Sequence, residues 1–449
     1  MAHFPRRQVC ATLITIWALQ LGSASALGLV QAYEAALQND PTFRAAVYEN
    51  EAGQQYKTLG RSSLLPSLSA SYSNSKNQAD ITSTTAFGQR TEQRSYNSVV
   101  GAIQLRQPLV NMESLARYHQ GIAQTDYSDA LFSVHRQELI VRVVAAYSDA
   151  KYAEVDLSLA IAQRDTYAEQ RRVNDRMFEK GEGTKTDMLE TQAKFDLAEA
   201  DVLETRDMLT DARNALAAMV GQEVTVLSTL RDDFRVKQIQ PASYDEWKAI
   251  ALEQNPAIIT QRHAVEIAAQ EIEKNRAGHA PRLDLVASVS NNKSDTINTF
   301  NQDAKIRSIG VQFNVPLYAG GYVSAVTSQA ESNHEKAKAD LEAKISQVLI
   351  ELRKQYSLVL SSASRIDALI TSVNSARTLV DATQKSVKGG MRTNLDVLNA
   401  QQQVFSAKRD LSRARYKYLL GYLRLRQAAG IVNADDVQDM EKYFVADGK

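Results

Sequence analysis

Two glycine-containing breaks in long proline-free tracts carry the side chains most able to do chemistry. Each break is followed by a Thr-x-x-Asp motif. The residues concerned are Gly181, Gly183 and Asp187 at the first break, and Gly389, Gly390, Arg392, Asp396 and Asn399 at and after the second. Carboxylates can serve as acids, bases, metal ligands or fixed charges, and a guanidinium can pair with them. A structural alternative exists, because a Thr three residues before an Asp also resembles a capping box at the start of a helix.

The rest of the sequence gives no indication of an enzyme. The histidines at positions 119, 135, 263, 279 and 334 lie in no H-E-x-x-H or similar zinc-binding motif. Neither a phosphate-binding P-loop nor a dinucleotide-binding glycine motif occurs. We therefore expect no catalytic residue, no metal and no cofactor, and any ATP hydrolysis must come from a partner.

Composition excludes several classes of protein. The chain has 449 residues with 52 basic and 52 acidic side chains, whereas nucleic-acid-binding proteins usually carry a basic excess. Mean hydropathy is −0.33 and the long apolar run lies at the N-terminus, so no helix of the mature chain is expected to span a bilayer. The one cysteine, Cys10, lies in that run, which excludes disulfides and thiolate metal sites from the mature chain.

The N-terminus has the features of a secretory signal peptide. Arg6 and Arg7 precede an apolar stretch over residues 9–21 and a small-residue motif over residues 24–26. This pattern predicts a signal peptide over residues 1–26, with cleavage between Ala26 and Leu27. An uncleaved anchor is the alternative, although an apolar stretch of about 13 residues is short for one. The protein is therefore expected to leave the cytoplasm.

The mature chain consists of two similar units of about 210 residues. Residues 36–41 resemble residues 251–256, and further prolines punctuate both units at matching places. We predict four segments: a first structural repeat over residues 27–221, a linker over 222–242, a second repeat over 243–430 and a C-terminal tail over 431–449.

Within each unit, prolines separate a helical segment, a strand pair and a long helical tract. Ser243-x-x-Glu246 predicts a capping box where the second unit begins. Apolar and polar residues then alternate with a period of two, as at Leu283, Leu285 and Val289. We predict β-hairpins near residues 67–107 and 282–315, with strands of about ten residues joined by long polar linkers.

Each unit ends in a helical hairpin, predicted over residues 109–221 and 317–430. Lys180-Gly181 and Lys388-Gly389 mark equivalent helix ends, which divide each tract into helices of about 70 and about 37 residues. Apolar residues recur every seven positions, which indicates supercoiled packing, and the longer helix would reach about 105 Å. Because the returning helix is shorter, we expect the helical segment before each β-hairpin to stack end to end with it.

Four strands in one chain cannot close into a barrel, and open strand edges are not tolerated in lipid. Two chains would give eight strands and a filled interior, whereas three would give twelve strands and a lumen. We therefore predict an α+β membrane protein. It is a homotrimeric twelve-stranded transmembrane β-barrel, with four strands per chain, continued by a long periplasmic α-helical barrel of coiled-coil hairpins.

The second break carries a family signature. Residues 389–401, GGMRTNLDVLNAQ, resemble the G-x-R-T-x-x-D-V-L-x-A motif of the TolC family of outer-membrane channel proteins, and residues 181–187 resemble its counterpart in the first unit. Residues 316–321 resemble the family's transition from strand to helix. The resemblance implies a trimer in outer-membrane lipid whose periplasmic tip docks to an adaptor protein and an inner-membrane pump. It also places the linker and the tail near the middle of the tube.

The resemblance implies roles for the residues at the tip. The turns that meet the adaptor would contain Gly181, Gly183, Gly389 and Gly390. Asp396 would form an anionic ring at a periplasmic constriction, and Asn399 replaces a second acid of many members, so a weaker cation preference is expected. Arg392 and Asp187 would latch neighbouring hairpins, although Val387 replaces the family's tyrosine partner. The alternatives are helix caps for the aspartates and solvated surface charges.

Two further segments favour one branch of the family. Residues 107–109 and 114–118 resemble members that secrete proteases or lipases by the type I route. The resemblance thus implies the outer-membrane exit duct of a tripartite type I secretion system, which passes an unfolded protein from an inner-membrane ABC exporter and its adaptor to the exterior. One alternative is a multidrug or small-molecule efflux channel. The other is a soluble periplasmic coiled-coil structural protein.

Overall fold

A computed structural model describes residues 26–231, 233–236, 239–294 and 302–445. Apart from Ala26, the predicted signal peptide lies outside the described residues. The helices in the described ranges are α1 (Leu29–Asn39), α2 (Pro41–Gly53), α3 (Gln55–Ser62), α4 (Met112–Glu179), α5 (Lys185–Val220), α6 (Tyr244–Gln254), α7 (Pro256–Arg276), α8 (Tyr322–Lys388), α9 (Asn394–Ala429) and α10 (Ala434–Glu441). The strands are β1 (Ser67–Thr85), β2 (Gly88–Val110), β3 (Thr229–Leu230), β4 (Arg282–Ser294), β5 (Asp303–Asn314) and β6 (Phe444–Val445).

The two long helical hairpins are present at the predicted lengths. α4 and α8 have 68 and 67 residues, and α5 and α9 have 36 each. Asn111 caps α4 by accepting a hydrogen bond from the Ser114 N–H at 3.1 Å, and Gly221 ends α5 in the left-handed conformation. Of the described helices, none offers an apolar stretch of the length that a bilayer crossing requires.

Shorter helices complete a second column beside each long helix. α4 packs against α2 and α3 as well as against α5, and α8 packs in the same way against α7 and α9. Side-chain hydrogen bonds join the stacked ends: Asn39 Nδ2 donates to the Val220 carbonyl at 2.8 Å, and Asn255 Nδ2 donates to the Ala428 carbonyl at 2.9 Å. The predicted end-to-end stacking is confirmed.

The helical segment before each β-hairpin is present as predicted, but it consists of several helices and not of one continuous helix. Pro41 and Pro256 each begin a new helix, and the preceding Asp40 and Asn255 have extended ψ angles of 115° and 118°. Proline disfavours helical backbone at the residue before it and lacks the N–H that would continue the helix. Asp40 and Asn255 then cap the new helices by accepting hydrogen bonds from their first backbone N–H groups.

Ser243 begins α6 as predicted, but the predicted capping box is wrong. Its hydroxyl accepts a hydrogen bond from the Asp245 N–H at 3.2 Å, two residues along the helix, instead of pairing reciprocally with Glu246. This cap is exposed and consists of one hydrogen bond. It is therefore a weaker constraint on its helix than the buried cap at Asn255.

Four strands form one antiparallel sheet in the order β1-β2-β4-β5, which leaves β1 and β5 as open edges. β1 and β2 have 19 and 23 residues, so the prediction of ten-residue strands is wrong. The polar stretch predicted as a linker is paired up to a turn closed by Thr85 and Gly88. Cross-strand polar pairs stabilise this ladder, such as the 3.0 Å hydrogen bond between the Thr82 and Thr91 hydroxyls. In the second hairpin, residues 295–301 lie outside the described residues.

The sheet has one apolar and one polar face, which confirms the predicted alternation. Serines and glutamines in register occupy the polar face, such as Ser69, Gln104 and Ser288. The apolar side chains of the other face are exposed, and they include Leu68, Tyr72, Ile103, Val289, Ile309, Val311 and Phe313. A continuous apolar surface of this kind marks a face that is covered in the functional state.

The linker and the tail pack together against the middle of α4. β3 pairs with β6, and Leu227 is fully buried in the core that surrounds Tyr147. The Tyr147 hydroxyl donates to the Leu27 carbonyl at 2.8 Å, and the buried Lys151 Nζ donates to the Leu227 carbonyl at 3.1 Å. Burial raises the pKa of Tyr147 to about 12, so this hydroxyl remains a donor at neutral pH.

We expect Asn255→Ala to lower the free energy of unfolding by about 2 kcal/mol, because it removes a helix cap and leaves the Ala428 carbonyl without its donor. Thermal unfolding followed by far-UV circular dichroism measures the loss. Ser243→Ala is the matched control, with an expected loss of about 0.5 kcal/mol for an exposed cap. Equal losses would contradict the role of Asn255 as the joint between α9 and α7.

Candidate functional site

The tips of the two helical hairpins are closed by left-handed glycines. Gly181 has φ 76° and Gly390 has φ 72°, while Lys180 and Gly389 both close their helices at φ −84°. Gly181 therefore corresponds to Gly390, and the prediction that Lys180-Gly181 matches Lys388-Gly389 is wrong by one residue. The left-handed position of the turn requires glycine, whereas the helix-ending position accepts either residue.

Both aspartates of the tip form the capping boxes that the sequence resembles. Asp187 Oδ2 accepts from the Thr184 hydroxyl at 2.6 Å and from the Thr184 N–H at 3.4 Å. Asp396 Oδ2 accepts from the Thr393 N–H and hydroxyl, each at 3.0 Å. Both carboxylates therefore stabilise the first turn of a returning helix.

The cap keeps Asp396 ionised. Hydrogen bonds from the Thr393 N–H and then its hydroxyl lower the pKa of Asp396, and the positive charge of Arg392 lowers it further. Because the folded-state pKa is depressed, the stabilisation is present at neutral pH and is lost as pH falls through that lowered value. A carboxylate held in this way is a fixed negative charge at the tip.

Arg392 and Asp187 are not brought together within the chain. Arg392 is exposed, the Asp187 carboxylate bonds to Thr184, and no ion pair among the described residues joins the two. A latch between these side chains would have to connect different hairpins of different subunits. It stays a prediction.

Asn399 has a partner that the sequence did not indicate. Lys194 Nζ on α5 donates to Asn399 Oδ1 at 2.9 Å and to Gln402 Oε1 at 3.3 Å, both on α9. The amide that replaces a second acid therefore joins the two hairpins of one chain. Because Asn399 lies three residues after Asp396 on α9, the Lys194 ammonium also brings a positive charge near the expected Asp396 ring, where it opposes a net negative charge.

Asn174 is a further tip residue that sequence reasoning missed. It is 4% exposed, donates to Thr191 Oγ1 on α5 at 2.6 Å, and accepts from Asn394 Nδ2 at the start of α9 at 2.8 Å. The sequence contains a signal for it, because Asn174 continues the seven-residue series of Ala160 and Tyr167, both buried. A polar residue at such a core position fixes the register of supercoiled helices.

A small apolar cluster lies beside this polar joint. Tyr167, Ala198 and Leu398 are each at most 2% exposed, and they bring α4, α5 and α9 into contact. Phe195 covers the cluster, with the Arg171 guanidinium 4.4 Å from its ring centre. The two hairpins of the chain thus form one body near the tip.

The turns themselves project beyond this body. Gly181, Gly389 and Gly390 are exposed, and Met391 between the turn and Arg392 is 79% exposed. Gly183 differs, because a Cβ there would lie 3.2 Å from the Met177 Cβ, so its small size allows the chain to pass close to α4. Within the described ranges, no three histidine, cysteine or acidic side chains converge as metal ligands.

The family model of outer membrane efflux proteins matches residues 32–222 and 247–431. The chain belongs to this family. The family is one of outer-membrane transport proteins and not of enzymes, and the two matched segments overlap the two repeats predicted from the sequence.

Relatives and a solved structure agree with this membership. The chain is 45% identical to alkaline protease secretion protein AprF of Pseudomonas aeruginosa, covering 94% of this chain and 88% of AprF. It is 37% identical to proteases secretion protein PrtF of Dickeya chrysanthemi, covering 98% and 96%. The CmeC outer membrane channel of Campylobacter jejuni has a TM-score of 0.77 at 17% identity, covering 92% of this chain and 89% of CmeC, which shows the shared fold.

We expect Asn174→Ala to loosen the tip, because Thr191 and Asn394 lose a buried partner at a cost of about 1–3 kcal/mol. Hydrogen exchange of residues 174–194 and 387–398 should accelerate, while exchange around Tyr147 stays unchanged. Lys194→Ala is the control, since it removes only exposed bonds and should change exchange little. Unchanged exchange in Asn174→Ala would show that the apolar cluster alone holds the tip.

Proposed function

We propose that this chain forms the outer-membrane exit duct of a type I secretion system and passes an unfolded protein to the exterior. The observation that carries the proposal is the 45% identity, over nearly the whole chain, to a protein named for alkaline protease secretion. The similarity to PrtF, named for the secretion of proteases, supports it independently. The efflux name of the family supports a channel for small molecules as the second candidate.

The sheet supports assembly as a homotrimer. β1 and β5 are open edges, and unpaired edge groups are costly in hydrocarbon. Pairing β5 of one copy with β1 of the next, three times, would close a twelve-stranded barrel with its exposed apolar face toward lipid. The helices of both halves would then extend the barrel into the periplasm as a ring. Each mature chain would begin at Leu27, after the proposed signal-peptide cleavage between Ala26 and Leu27.

The exposed tips are the proposed docking surface for a periplasmic adaptor, which in turn binds an inner-membrane ABC exporter. The turns that contain Gly181, Gly183, Gly389 and Gly390 lie at the end of the helices farthest from the sheet. This chain would contribute the passage, and the exporter would supply the energy for transport.

Asp396 is the proposed constriction, with one carboxylate from each of three chains. Because its pKa is lowered, the ring would be fully charged at neutral pH and would favour cations. Lys194 beside Asn399 would weaken that preference. Arg392 and Asp187 are the proposed latch between hairpins of neighbouring subunits.

Secretion can be tested by complementation in Pseudomonas aeruginosa that lacks AprF. We expect this chain to restore extracellular alkaline protease, measured as proteolytic activity of the culture medium, if it engages the same adaptor and exporter. Resistance to toxic compounds restored in a second strain that lacks its own efflux channel, without protease secretion in the first, would favour the efflux candidate. A monomer recovered in the soluble periplasmic fraction would contradict both and favour the coiled-coil structural protein.

Docking of the adaptor can be tested in the same strain by a substitution in the tip turn. Gly390→Ala places a side chain at φ 72°, which costs about 1–2 kcal/mol and distorts the tip turn, so secretion should fall while trimer yield is kept. Gly88→Ala is the matched control. Gly88 also has a positive φ, 117°, but it lies in the β-hairpin turn, at the end of the molecule opposite the tip. Full secretion by Gly390→Ala would mean that docking does not depend on this turn.

Two substitutions separate the ring from the cap at Asp396. Asp396→Asn keeps an acceptor for Thr393 but removes the charge, whereas Asp396→Ala removes both. In planar bilayers under a KCl gradient, we expect both to shift the reversal potential toward zero, and Asp396→Ala alone to destabilise the tip by about 1 kcal/mol. Asp439→Asn is the control, since Asp439 is an exposed carboxylate on α10, away from the tip. Unchanged reversal potentials in both variants would remove the ring.

A further inference from the structure

The outer end of the apolar sheet face changes from apolar to cationic over a few residues. Successive rows of paired residues across β1, β2, β4 and β5 record the change. The first row is Leu68, Leu105, Ala287 and Ile309, and the second is Ala70, Ile103, Val289 and Arg307. The third row is Tyr72, Gly101, Asn291 and Lys305. The fourth is Asn74, Val99, Lys293 and Asp303, and Lys76 lies beyond it on β1.

These cations lie on the face that the proposed barrel turns toward lipid. Arg307, Lys305, Lys293 and Lys76 share the parity of the apolar residues, and all four are exposed. The acid in these rows, Asp303, lies 3.6 Å from Lys293 Nζ. Each chain therefore presents a net positive belt immediately above its apolar band, and three chains would carry it around the barrel.

The position of the belt corresponds to the headgroup level of a bilayer. Arg307 is six residues from Phe313, a distance of about 20 Å along the strand, and the apolar band of such barrels is about 25 Å tall. Tyr72 lies in the same row as Lys305, and tyrosines concentrate at membrane interfaces. The helices begin at the opposite end of the strands, so the belt faces the exterior.

A shallow apolar hollow lies directly below the cations. It has a volume of about 300 Å³ and arises where the small Ala287 stands between Leu105 and Ile309 in one row. Leu68, Ile103 and Val289 complete the apolar lining, and Arg307 stands at the rim. An acyl chain fits such a hollow, and a phosphate attached to the same molecule would reach the guanidinium.

We propose that this surface binds a phosphate-bearing lipid of the outer leaflet, with its acyl chain in the hollow and its phosphate on Arg307 and Lys305. The inference rests on the proposed barrel, which would also place Lys76 of β1 beside β5 of the neighbouring copy. The lipid would then bridge two subunits at the seam. Arginine and lysine supply complementary contacts, since the guanidinium binds phosphate bidentately and the ammonium acts as a point charge.

The test uses the full-length trimer and two matched lipids. Detergent-purified trimer is incubated with bisphosphorylated lipid A or with its dephosphorylated derivative, and retained lipid is counted by native mass spectrometry. We expect phosphate-dependent retention, weakened about fivefold for each cation removed in Lys305→Gln and Arg307→Gln. Arg90→Gln is the control, because Arg90 lies on the opposite face of β2 and beyond the lipid-facing band. Retention in this control should equal that of the unsubstituted trimer.

Three outcomes would overturn the proposal: equal retention by the Lys305→Gln/Arg307→Gln double variant, equal retention of the dephosphorylated lipid, or complete displacement by inorganic phosphate. Both positions are exposed, and heat-modifiable migration on gels checks that each variant is a folded trimer. Conductance of the same preparation distinguishes the two levels of inference. An unsubstituted chain that gives neither trimers nor conductance refutes the barrel, whereas conducting trimers that bind lipid regardless of charge refute the lipid site alone.

Discussion

Backbone pairing at the sheet edges is the constraint on which the remaining architecture depends. Within one chain, β1 and β5 each present a row of N–H and C=O groups without a strand partner, next to an apolar face whose exposure to water is unfavourable. Hydrocarbon would satisfy the apolar face but not the edges. Both requirements are met together if the edges of several copies pair, which is the physical reason for proposing an assembly of copies.

The long helices α4 and α8 extend the molecule away from the sheet, and shorter helices cover them. α7 and α9, placed end to end, cover α8, and α5 covers α4 in the same way together with α2 and α3. Proline fixes where the segment before each β-hairpin breaks. Amide side chains close the joints, with Asn39 and the buried Asn255 each donating to the carbonyl at the end of a returning helix. The linker and the tail then support α4 at its middle through Tyr147 and Lys151. The resulting columns carry the tip far from the sheet.

At the tip, structural and proposed functional roles share the same atoms. The Asp396 carboxylate caps α9 and would also be the charge of the constriction, so a change of charge and a loss of the cap can be confused unless asparagine and alanine are compared. The buried Asn174 holds the two hairpins of one chain as a unit, and Lys194 adds an exposed contact between them. Any opening would therefore occur between chains, where the proposed Arg392–Asp187 latch lies.

The lengths of the long helices, the alternation of the strands and the Thr-x-x-Asp caps were predictable before any coordinates, because each depends on residues near one another in the chain. The partners of residues far apart in the chain were not predictable in this way, because they depend on how the segments pack. In the structure, the polar stretch of β1 and β2 is paired, and Gly181 is equivalent to Gly390 in the other hairpin. Asn174 is hydrogen-bonded to Asn394, and Lys194 to Asn399. The structure also aligns Arg307 and Lys305 with Tyr72 across four strands, because strand register is fixed by pairing between segments far apart in sequence.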